Sequence, residues 1–304
     1  MKKINQGLFL VLITTVISGF SVFLNTYAVK LINQSSVHTT AKNLIATLVL
    51  SLLFLTPLAI KKLKGIARVD WLKLVLIGLI GGSIPFLLFF KAVSLTSATN
   101  TAFIHKTLFI WVSLLAVWFL REKIGRLQYG ALVLLFLGNF ALLGFKFISF
   151  DYGVVLALIA TLFWAVEFVI AKKILSRIDS LVVGWARMFF GSIFLIGYVA
   201  SIGKFNMLFN LSVIQWQWEL LLGILLAIYV FTWYGALKRL PAVTVTSILV
   251  LASPLTTFLN NIFGPQSFSH GQLIGCGLII SAIILFIYSV RQTKNVVLAN
   301  SSTI

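Results

Sequence analysis

Residues 7–23 read GLFLVLITTVISGFSVF, and residues 153–169 read GVVLALIATLFWAVEFV. Both stretches are almost continuously apolar, and the apolar character continues for several residues beyond each of them. A helix needs about 20 mostly apolar residues to cross the ~30 Å hydrocarbon core of a bilayer. The sequence therefore predicts a transmembrane helix at each position, and the similarity of the two stretches suggests an internal repeat.

The composition of the whole chain favours a membrane protein. Hydrophobic residues make up 60% of the 304 positions and charged residues only 10%, whereas ordinary soluble proteins are near a quarter charged. The formal net charge of +18 would also suit a nucleic-acid-binding protein. However, the 24 Lys and Arg residues lie mostly in short gaps between apolar runs, which is typical of membrane proteins.

Ten segments are long and apolar enough to span a bilayer. The connections between them are short and leave no room for a soluble domain. The first segment could mimic a signal peptide, but it lacks a small-residue cleavage site, so we expect it to remain as the first helix. The predicted spans are Gly7–Val29, His38–Ile60, Trp71–Phe90, Ala98–Leu120, Leu127–Phe145, Gly153–Ala171, Leu181–Ser201, Gln217–Leu237, Val243–Phe263 and Gly271–Val290.

The distribution of positive charge predicts the orientation of the chain. If the N-terminus is cytoplasmic, the cytoplasmic gaps hold 17 of the 24 Lys and Arg residues. The opposite side then holds four, Lys30, Lys91, Lys146 and Lys204. Because cytoplasmic loops carry an excess of Lys and Arg, we predict a multi-pass protein of the plasma (inner) membrane with both termini in the cytoplasm.

The two halves of the chain align on each other at a nearly constant spacing. Residues 7–23 match 153–169 at an offset of 146, and AVSLTSAT at 92–99 matches ALKRLPAV at 236–243 at an offset of 144. We predict an all-α membrane protein with two five-helix repeats, at 1–146 and 147–304. Because five is an odd number, the halves insert in opposite directions. Inverted repeats are typical of secondary transporters, whose site lies between the halves near the bilayer midplane.

Two longer runs carry a specific resemblance. Residues 91–124 read KAVSLTSATNTAFIHKTLFIWVSLLAVWFLREKI, with Glu122 after the fourth span, and residues 236–259 read ALKRLPAVTVTSILVLASPLTTFL. Together they resemble the drug/metabolite transporter superfamily in its EamA-type branch, over essentially the whole chain. The resemblance implies a ten-helix inner-membrane carrier, often an exporter, of amino acids and other small metabolites.

Two departures from the family pattern concern charged positions. The second half has Pro265 and Gln266 where the first has Arg121 and Glu122. The fourth span carries a His–Lys pair, residues 105 and 106, where many members are apolar or have a proline.

Lys106 is the first candidate for a substrate contact. An ionisable residue at bilayer depth costs about 2.5–3.5 kcal/mol and usually faces a cavity or a partner. Lys106 is eight residues into its span, roughly 12 Å from the outer end at 1.5 Å per residue. It either holds a substrate carboxylate or phosphate, or makes a structural ion pair or carbonyl contacts. The adjacent His105 either lines the same cavity or bridges helices.

Three further charged residues are gate or ion-pair candidates. Lys42 and Arg187 occupy matching positions at an offset of 145, which suits a pair of alternating gates, with snorkelling to headgroups as the alternative. Glu167 is predicted to be the one acidic residue inside a span. It either pairs with Arg187 or carries a proton, because burial disfavours a charged carboxylate. A structural pair, a gating pair and proton coupling all stay open.

The remaining site candidates are polar and aromatic residues. Asn25, Trp164 and Tyr229 are predicted to contribute to substrate binding, with helix bridging or core packing as the alternative. Enzyme motifs, metal-ligand clusters and cofactor motifs are absent from the sequence, and Cys276 is alone in an apolar run. No catalytic residue, metal or cofactor is therefore expected.

These features favour a secondary transporter that works by alternating access. Three cations against one acid inside the spans favour a substrate with a negative group, such as an amino acid, an organic acid or a phosphorylated metabolite. A passive channel and a non-transporting structural membrane protein are the alternatives. The expected partners are a small-molecule substrate and the lipid bilayer, with no nucleic acid. A homodimer stays open.

Overall fold

The computed structural model describes residues 2–96, 98–144, 151–264 and 268–301, which are almost entirely helical. Ten main helices follow one another along the chain. They are α1 (Lys2–Ile32), α2 (Ser35–Leu52), α3 (Arg68–Leu95), α4 (98–120), α5 (Arg126–Leu142), α6 (Tyr152–Ile174), α7 (Ser180–Ser201), α8 (Val213–Arg239), α9 (Ala242–Phe263) and α10 (His270–Ser301).

The ten helices lie where the ten spans were predicted. In the described ranges, nine helical segments are long and apolar enough to cross a membrane. The remaining helix, α5, has 17 residues, at the lower end of the spanning range. The prediction of an all-α, multi-pass membrane protein is therefore confirmed.

Two of the predicted spans end earlier than expected. The second span was predicted to continue to Ile60. Instead it ends in a 3₁₀ turn, because the backbone of Thr56 is extended. The Thr56 side chain then caps the separate short helix Pro57–Lys61. The fifth span ends at Leu142, and Gly144 follows with a φ of 73°. This left-handed conformation is favourable for glycine and typically ends a helix. The predicted end, Phe145, lies outside the described residues.

Within the described ranges, three of the membrane helices are interrupted. Ser83 separates the two segments of α3, and Pro85 follows in the first turn of the second segment. In α4 the interruption is at Thr107, between Ala98–Lys106 and Leu108–Leu115. In α9 it is at residues 250–251, between Ala242–Leu249 and Ala252–Phe263. The interruptions in α4 and α9 match at the repeat offset of 144, so both halves break the same helix.

Helix packing follows the pseudo-symmetry that two inverted repeats require. Adding five to each helix number of the first half gives its counterpart. Thus α1 packs on α8 as α6 packs on α3, α2 packs on α8 as α7 packs on α3, and α1 packs on α9 as α6 packs on α4. Two contacts, between α2 and α7 and between α5 and α10, join a helix to its own counterpart in the other half.

Glycines allow α3 and α7 to approach at backbone distance. A Cβ atom on Gly191 would lie 2.7 Å from the carbonyl oxygen of Gly82, and one on Gly82 would meet the carbonyl oxygen of Arg187. Both positions thus require a residue without a side chain, as in other close helix contacts within membranes. This contact places the start of the Arg187 side chain directly against α3.

The loop before α6 ties α3 to α6. The Asp151 carboxylate accepts hydrogen bonds from the backbone N–H of Val154 at 2.8 Å and from the Thr96 hydroxyl at 2.7 Å. These bonds lower the pKa of Asp151 below its ordinary value, because they stabilise the charged carboxylate. The second segment of α3 is thereby held alongside α6.

We predict that Gly82→Ala lowers the free energy of unfolding by about 1–3 kcal/mol, the usual cost of overpacking. The matched control is Gly197→Ala in α7, where an added Cβ meets nothing within 4 Å, so only the gain in helix propensity remains. Unfolding in detergent measures both variants. Equal stability of the two variants would contradict the proposed close contact.

Candidate functional site

A cavity of about 190 Å³ lies between the two halves. Its wall is formed by α1, α4 and α5 from the first half and by α9 and α10 from the second half. The wall is rich in polar side chains, and Lys106 is the one charged residue among its described members. The polar lining residues are Thr26, Lys106, Asn139, Ser253, Thr256, Thr257, Asn260 and Gln272.

Lys106 occupies the end of a helical segment within the bundle. It is the last residue of the first α4 segment, and the interruption at Thr107 follows it. The side chain is buried. None of the chain's six acidic residues, all of which lie in the described ranges, forms an ion pair with it. Lys106 therefore lines the cavity without a carboxylate to balance its charge.

The second segment of α9 adds a further positive element. This 12-residue segment begins at Ala252, and Ser253 in its first turn lies on the cavity wall. The N-terminal end of a helix carries a partial positive charge. In transporters with interrupted helices, such ends face anionic groups of the substrate. Together with Lys106, this end makes the cavity suited to a negatively charged group.

Hydrogen bonds between helices fix the shape of the wall. The Asn139 amide donates to the carbonyl oxygen of Phe103 at 3.2 Å, which holds α5 against α4. The Thr256 hydroxyl donates to the carbonyl oxygen of Gly19 at 3.0 Å, which holds α9 against α1. The wall positions are therefore set by contacts across helix boundaries.

Polar contacts join helices at one end of the bundle. The Glu122 carboxylate, just after α4, accepts hydrogen bonds from the backbone N–H groups of Ala242 at 2.7 Å and Val243 at 3.2 Å, in the first turn of α9. The Lys172 ammonium donates to the carbonyl oxygens of Leu237 and Leu240, both at 2.6 Å. The cavity lies toward the opposite end, where α1 ends and α10 begins. Pro265 and Gln266, the second-half counterparts of Arg121 and Glu122, lie outside the described residues.

The structure brings Glu167 and Arg187 together, away from the cavity wall. Arg187 Nε lies 3.9 Å from Glu167 Oε2, and both side chains are buried. The Tyr234 hydroxyl donates to Glu167, and Arg187 Nη2 donates to the carbonyl oxygen of Gly81 at 3.0 Å. These four residues join α3, α6, α7 and α8. Whether the pair is a gate, a structural link or a proton carrier stays a prediction.

Two of the predicted substrate residues pack on each other beside the cavity. The His105 ring lies edge-on to Trp164, with 4.8 Å between ring centroids, and 5.2 Å from Phe89. Trp164 donates from Nε1 to the carbonyl oxygen of Gly81 at 3.0 Å. A third predicted residue, Tyr229, stacks on an aromatic neighbour in α8. Of the five predicted substrate residues, Lys106 is the one on the described cavity wall.

A second polar cluster contains a residue that the sequence analysis missed. Lys42 Nζ donates to Asn25 Oδ1 at 2.8 Å, and His38 lies between this pair and Glu219 of α8, with Nδ1 2.5 Å from Glu219 Oε1. The Glu219 side chain is fully buried. The prediction that Glu167 is the one acidic residue inside a span is therefore wrong, and the balance is three cations to two acids.

The reason for the omission is the position of Glu219 in its helix. It is the third residue of the predicted span Gln217–Leu237, where a carboxylate is expected to reach the headgroups. However, α8 begins at Val213, so Glu219 is almost two turns inside the helix. Its place within a predicted span was the signal that could have identified it.

The two gate candidates have mirrored surroundings. Lys42 Nζ lies over the Phe90 ring at 4.2 Å from its centroid, and the Arg187 guanidinium lies over the Tyr234 ring at 6.0 Å. The two cations are 145 positions apart and the two rings 144, in line with the repeat offset. Cation–π contacts of this kind contribute more where water is excluded. The repeat therefore relates the environments of the two cations as well as their positions.

For the Glu167–Arg187 pair we predict that neutralising one partner, by Glu167→Gln or Arg187→Gln, lowers the free energy of unfolding by about 3–5 kcal/mol, because the other charge is left unpaired inside the protein. Exchanging the two residues should recover more stability and more transport than either single change. Unfolding in detergent and uptake by proteoliposomes provide the two readouts. Single variants as stable as the wild-type protein would refute the pairing.

The comparisons with known proteins agree with this architecture. The EamA-like transporter family matches residues 5–144 and again residues 151–288. A solved crystal structure resembles the chain with a TM-score of 0.68 at 19% sequence identity, over 92% of this chain and 98% of the other. At this identity the likeness concerns the fold alone. The search of curated proteins gave no match. Since the family matches both halves, the chain belongs to the EamA-like transporter family, whose members are membrane transporters.

Proposed function

We propose that this protein is a secondary transporter that carries a small anionic or zwitterionic metabolite, such as an amino acid or an organic acid, by alternating access. The observation that carries the proposal is the buried Lys106 on the wall of a cavity shared by the two halves. An ammonium without a carboxylate partner gains most from a ligand that supplies one. The partial positive charge at the start of the second α9 segment acts in the same direction.

The cavity supports a small substrate. Sites for drug-sized ligands usually enclose roughly 300–1,000 Å³, whereas this cavity is about 190 Å³. Its wall offers hydroxyl and amide groups that suit the polar remainder of a metabolite. A zwitterion could place its carboxylate on Lys106 and its amino group on side-chain oxygens such as those of Asn260 and Thr257.

The closed end favours a carrier over a channel. A channel requires a continuous polar path through the membrane, while the contacts of Glu122 and Lys172 support closure of the end at which they lie. We infer that transport requires these contacts to open as the opposite end closes. The interruptions in α4 and α9, at matching positions beside the cavity, provide the hinges.

The proposed orientation places the closed end in the cytoplasm. Lys172, Lys238 and Arg239 lie at this end, in agreement with the excess of positive charge in cytoplasmic loops. The cavity then lies toward the outside of the plasma membrane, as expected of an exporter at the stage of releasing its substrate.

We predict that Lys106→Met removes transport while the protein stays folded and inserted, because a methionine fills similar volume without a charge. Lys106→Arg should retain part of the activity, although arginine presents a planar fork in place of a compact charge. The measurement is counterflow of labelled amino acids and organic acids in proteoliposomes. Gly130→Ala, a change facing open space, is the matched control. Wild-type rates in Lys106→Met would refute the proposed site.

For the orientation, we predict that reporter fusions at Lys2 and after Lys294 both report the cytoplasm, because 17 cations on one side outweigh four on the other. A fusion in the loop after α7, near Lys204, should report the opposite side. A periplasmic signal from either terminus would contradict the proposed topology.

A further inference from the structure

The cluster of Asn25, His38, Lys42 and Glu219 lies outside the cavity wall. It joins α1, α2 and α8 near the end of the bundle at which α2 begins. His38 and Glu219 are fully buried, and Lys42 is nearly so. His38 contacts the Glu219 carboxylate and lies beside the Lys42 ammonium. The distances in this cluster indicate which of its nitrogen and oxygen atoms carry protons.

The hydrogen-bond partners of the Asn25 amide determine its orientation. Its Nδ2 donates to the carbonyl oxygen of Ser21 at 2.6 Å, and its Oδ1 lies 2.8 Å from Lys42 Nζ. A lysine ammonium only donates hydrogen bonds, so the atom facing it must be the oxygen. An amide turned the other way would place two donors against each other at Lys42. Asn25 Oδ1 is therefore an acceptor.

The protonation of His38 follows from this acceptor. His38 Nε2 lies 3.0 Å from Asn25 Oδ1, so Nε2 must carry a hydrogen to make that contact favourable. A neutral imidazole with its hydrogen on Nε2 presents a lone pair at Nδ1. However, Nδ1 lies 2.5 Å from Glu219 Oε1, a distance at which two lone pairs repel. A second proton therefore lies between His38 Nδ1 and Glu219 Oε1 and is bonded to one of these two atoms.

The second carboxylate oxygen agrees with a protonated cluster. Glu219 Oε2 is buried and has no hydrogen-bond partner among the described residues. An ionised carboxylate in that position would bear a high desolvation cost. The cost is smaller when a proton is shared with His38, because the charge on the carboxyl group is then reduced.

We propose that the His38–Glu219 contact is a proton-binding site and that its occupancy determines whether Lys42, which bonds Asn25, also bonds His38. When one proton leaves, it is lost from His38 Nε2, and the shared proton settles on Nδ1 and bonds the Glu219 carboxylate. The net charge of the cluster falls from +1 to 0. Nε2 then presents a lone pair, and Lys42 Nζ, 3.4 Å away, donates to it.

The loss of the proton also changes the contact with α1. Asn25 Oδ1 loses the imidazole donor and instead faces the Nε2 lone pair, so α1 loses one of its two hydrogen bonds to α2 at Asn25 and keeps the one from Lys42. Asn25 lies between Val22 and Thr26, which both line the cavity. Resting on the proposed transport function, the site thus couples proton release to a movement of one cavity wall.

The surroundings of His38 contain no further competing charge among the described residues. Lys42 on its own helix and Glu219 on α8 are the titratable groups that face it. From α3, the Phe90 ring packs edge-on against His38 at 5.2 Å. Near α7, this part of α2 packs against Val199 and Leu208. The proton balance therefore depends on these three titratable groups.

The test is ¹⁵N NMR of histidine-labelled protein in lipid nanodiscs, without any substrate. The chain has three histidines, and His38→Gln assigns the His38 signals. Between about pH 5 and pH 9, on both sides of the pH at which histidine ordinarily titrates, His38 Nε2 should change from protonated to unprotonated while Nδ1 stays protonated or strongly hydrogen-bonded. His38 signals that stay constant over this range would overturn the proposal.

Glu219→Gln provides the second arm of the test. Glutamine has no proton to exchange with His38, and because Nε2–H bonds Asn25 Oδ1 the amide should donate to Nδ1, so His38 should hold its hydrogen on Nε2 over the whole range. Asp70→Asn, which neutralises a carboxylate paired with Lys73, is the matched control and should titrate like the wild-type protein. A Glu219→Gln protein whose His38 still switches would also refute the site. Neither readout depends on counterflow, so a failure of the transport proposal is recognised separately.

Discussion

The cost of placing charge at bilayer depth constrains the whole structure. Each ionised side chain needs a partner in a medium that does not solvate it. Four of the five buried charged residues, in the ranges that the structure describes, meet this need within two clusters. One cluster pairs Arg187 with Glu167, and the other links Lys42 to Glu219 through His38. The fifth, Lys106, has no carboxylate partner and lines the cavity instead, and this difference separates the binding site from the clusters that join helices.

The second segment of α3 holds these parts in relation to one another. Phe86 lies 5.7 Å from the Arg187 guanidinium, Phe90 lies under Lys42, and Phe89 packs against His105 and Trp164. One helical segment therefore contacts both charged clusters and the residues beside the cavity. A shift of this segment would act on both cation sites together. This arrangement suits a protein in which the two ends of the bundle open in turn.

Much of this fold could be predicted from the sequence, because length and hydropathy alone determine where helices cross a bilayer. The ten spans, the repeat and the proximity of Glu167 to Arg187 follow from spacing and burial cost. The contacts of the candidate site residues could not be predicted in the same way. Trp164 and His105 pack on each other, and this contact depends on how α4 and α6 are placed in the bundle, which the helical period within one segment does not contain. Glu219 was overlooked because α8 starts earlier than its apolar run.

The central claim is that Lys106 binds the negative group of a small substrate in a cavity shared by the two halves. Counterflow in proteoliposomes tests it most directly when each labelled amino acid or organic acid is paired with its neutral amide of nearly the same size. The account predicts that at least one carboxylate compound exchanges and that its amide does not, since the amide offers Lys106 no charge. Equal exchange of acid and amide would contradict it.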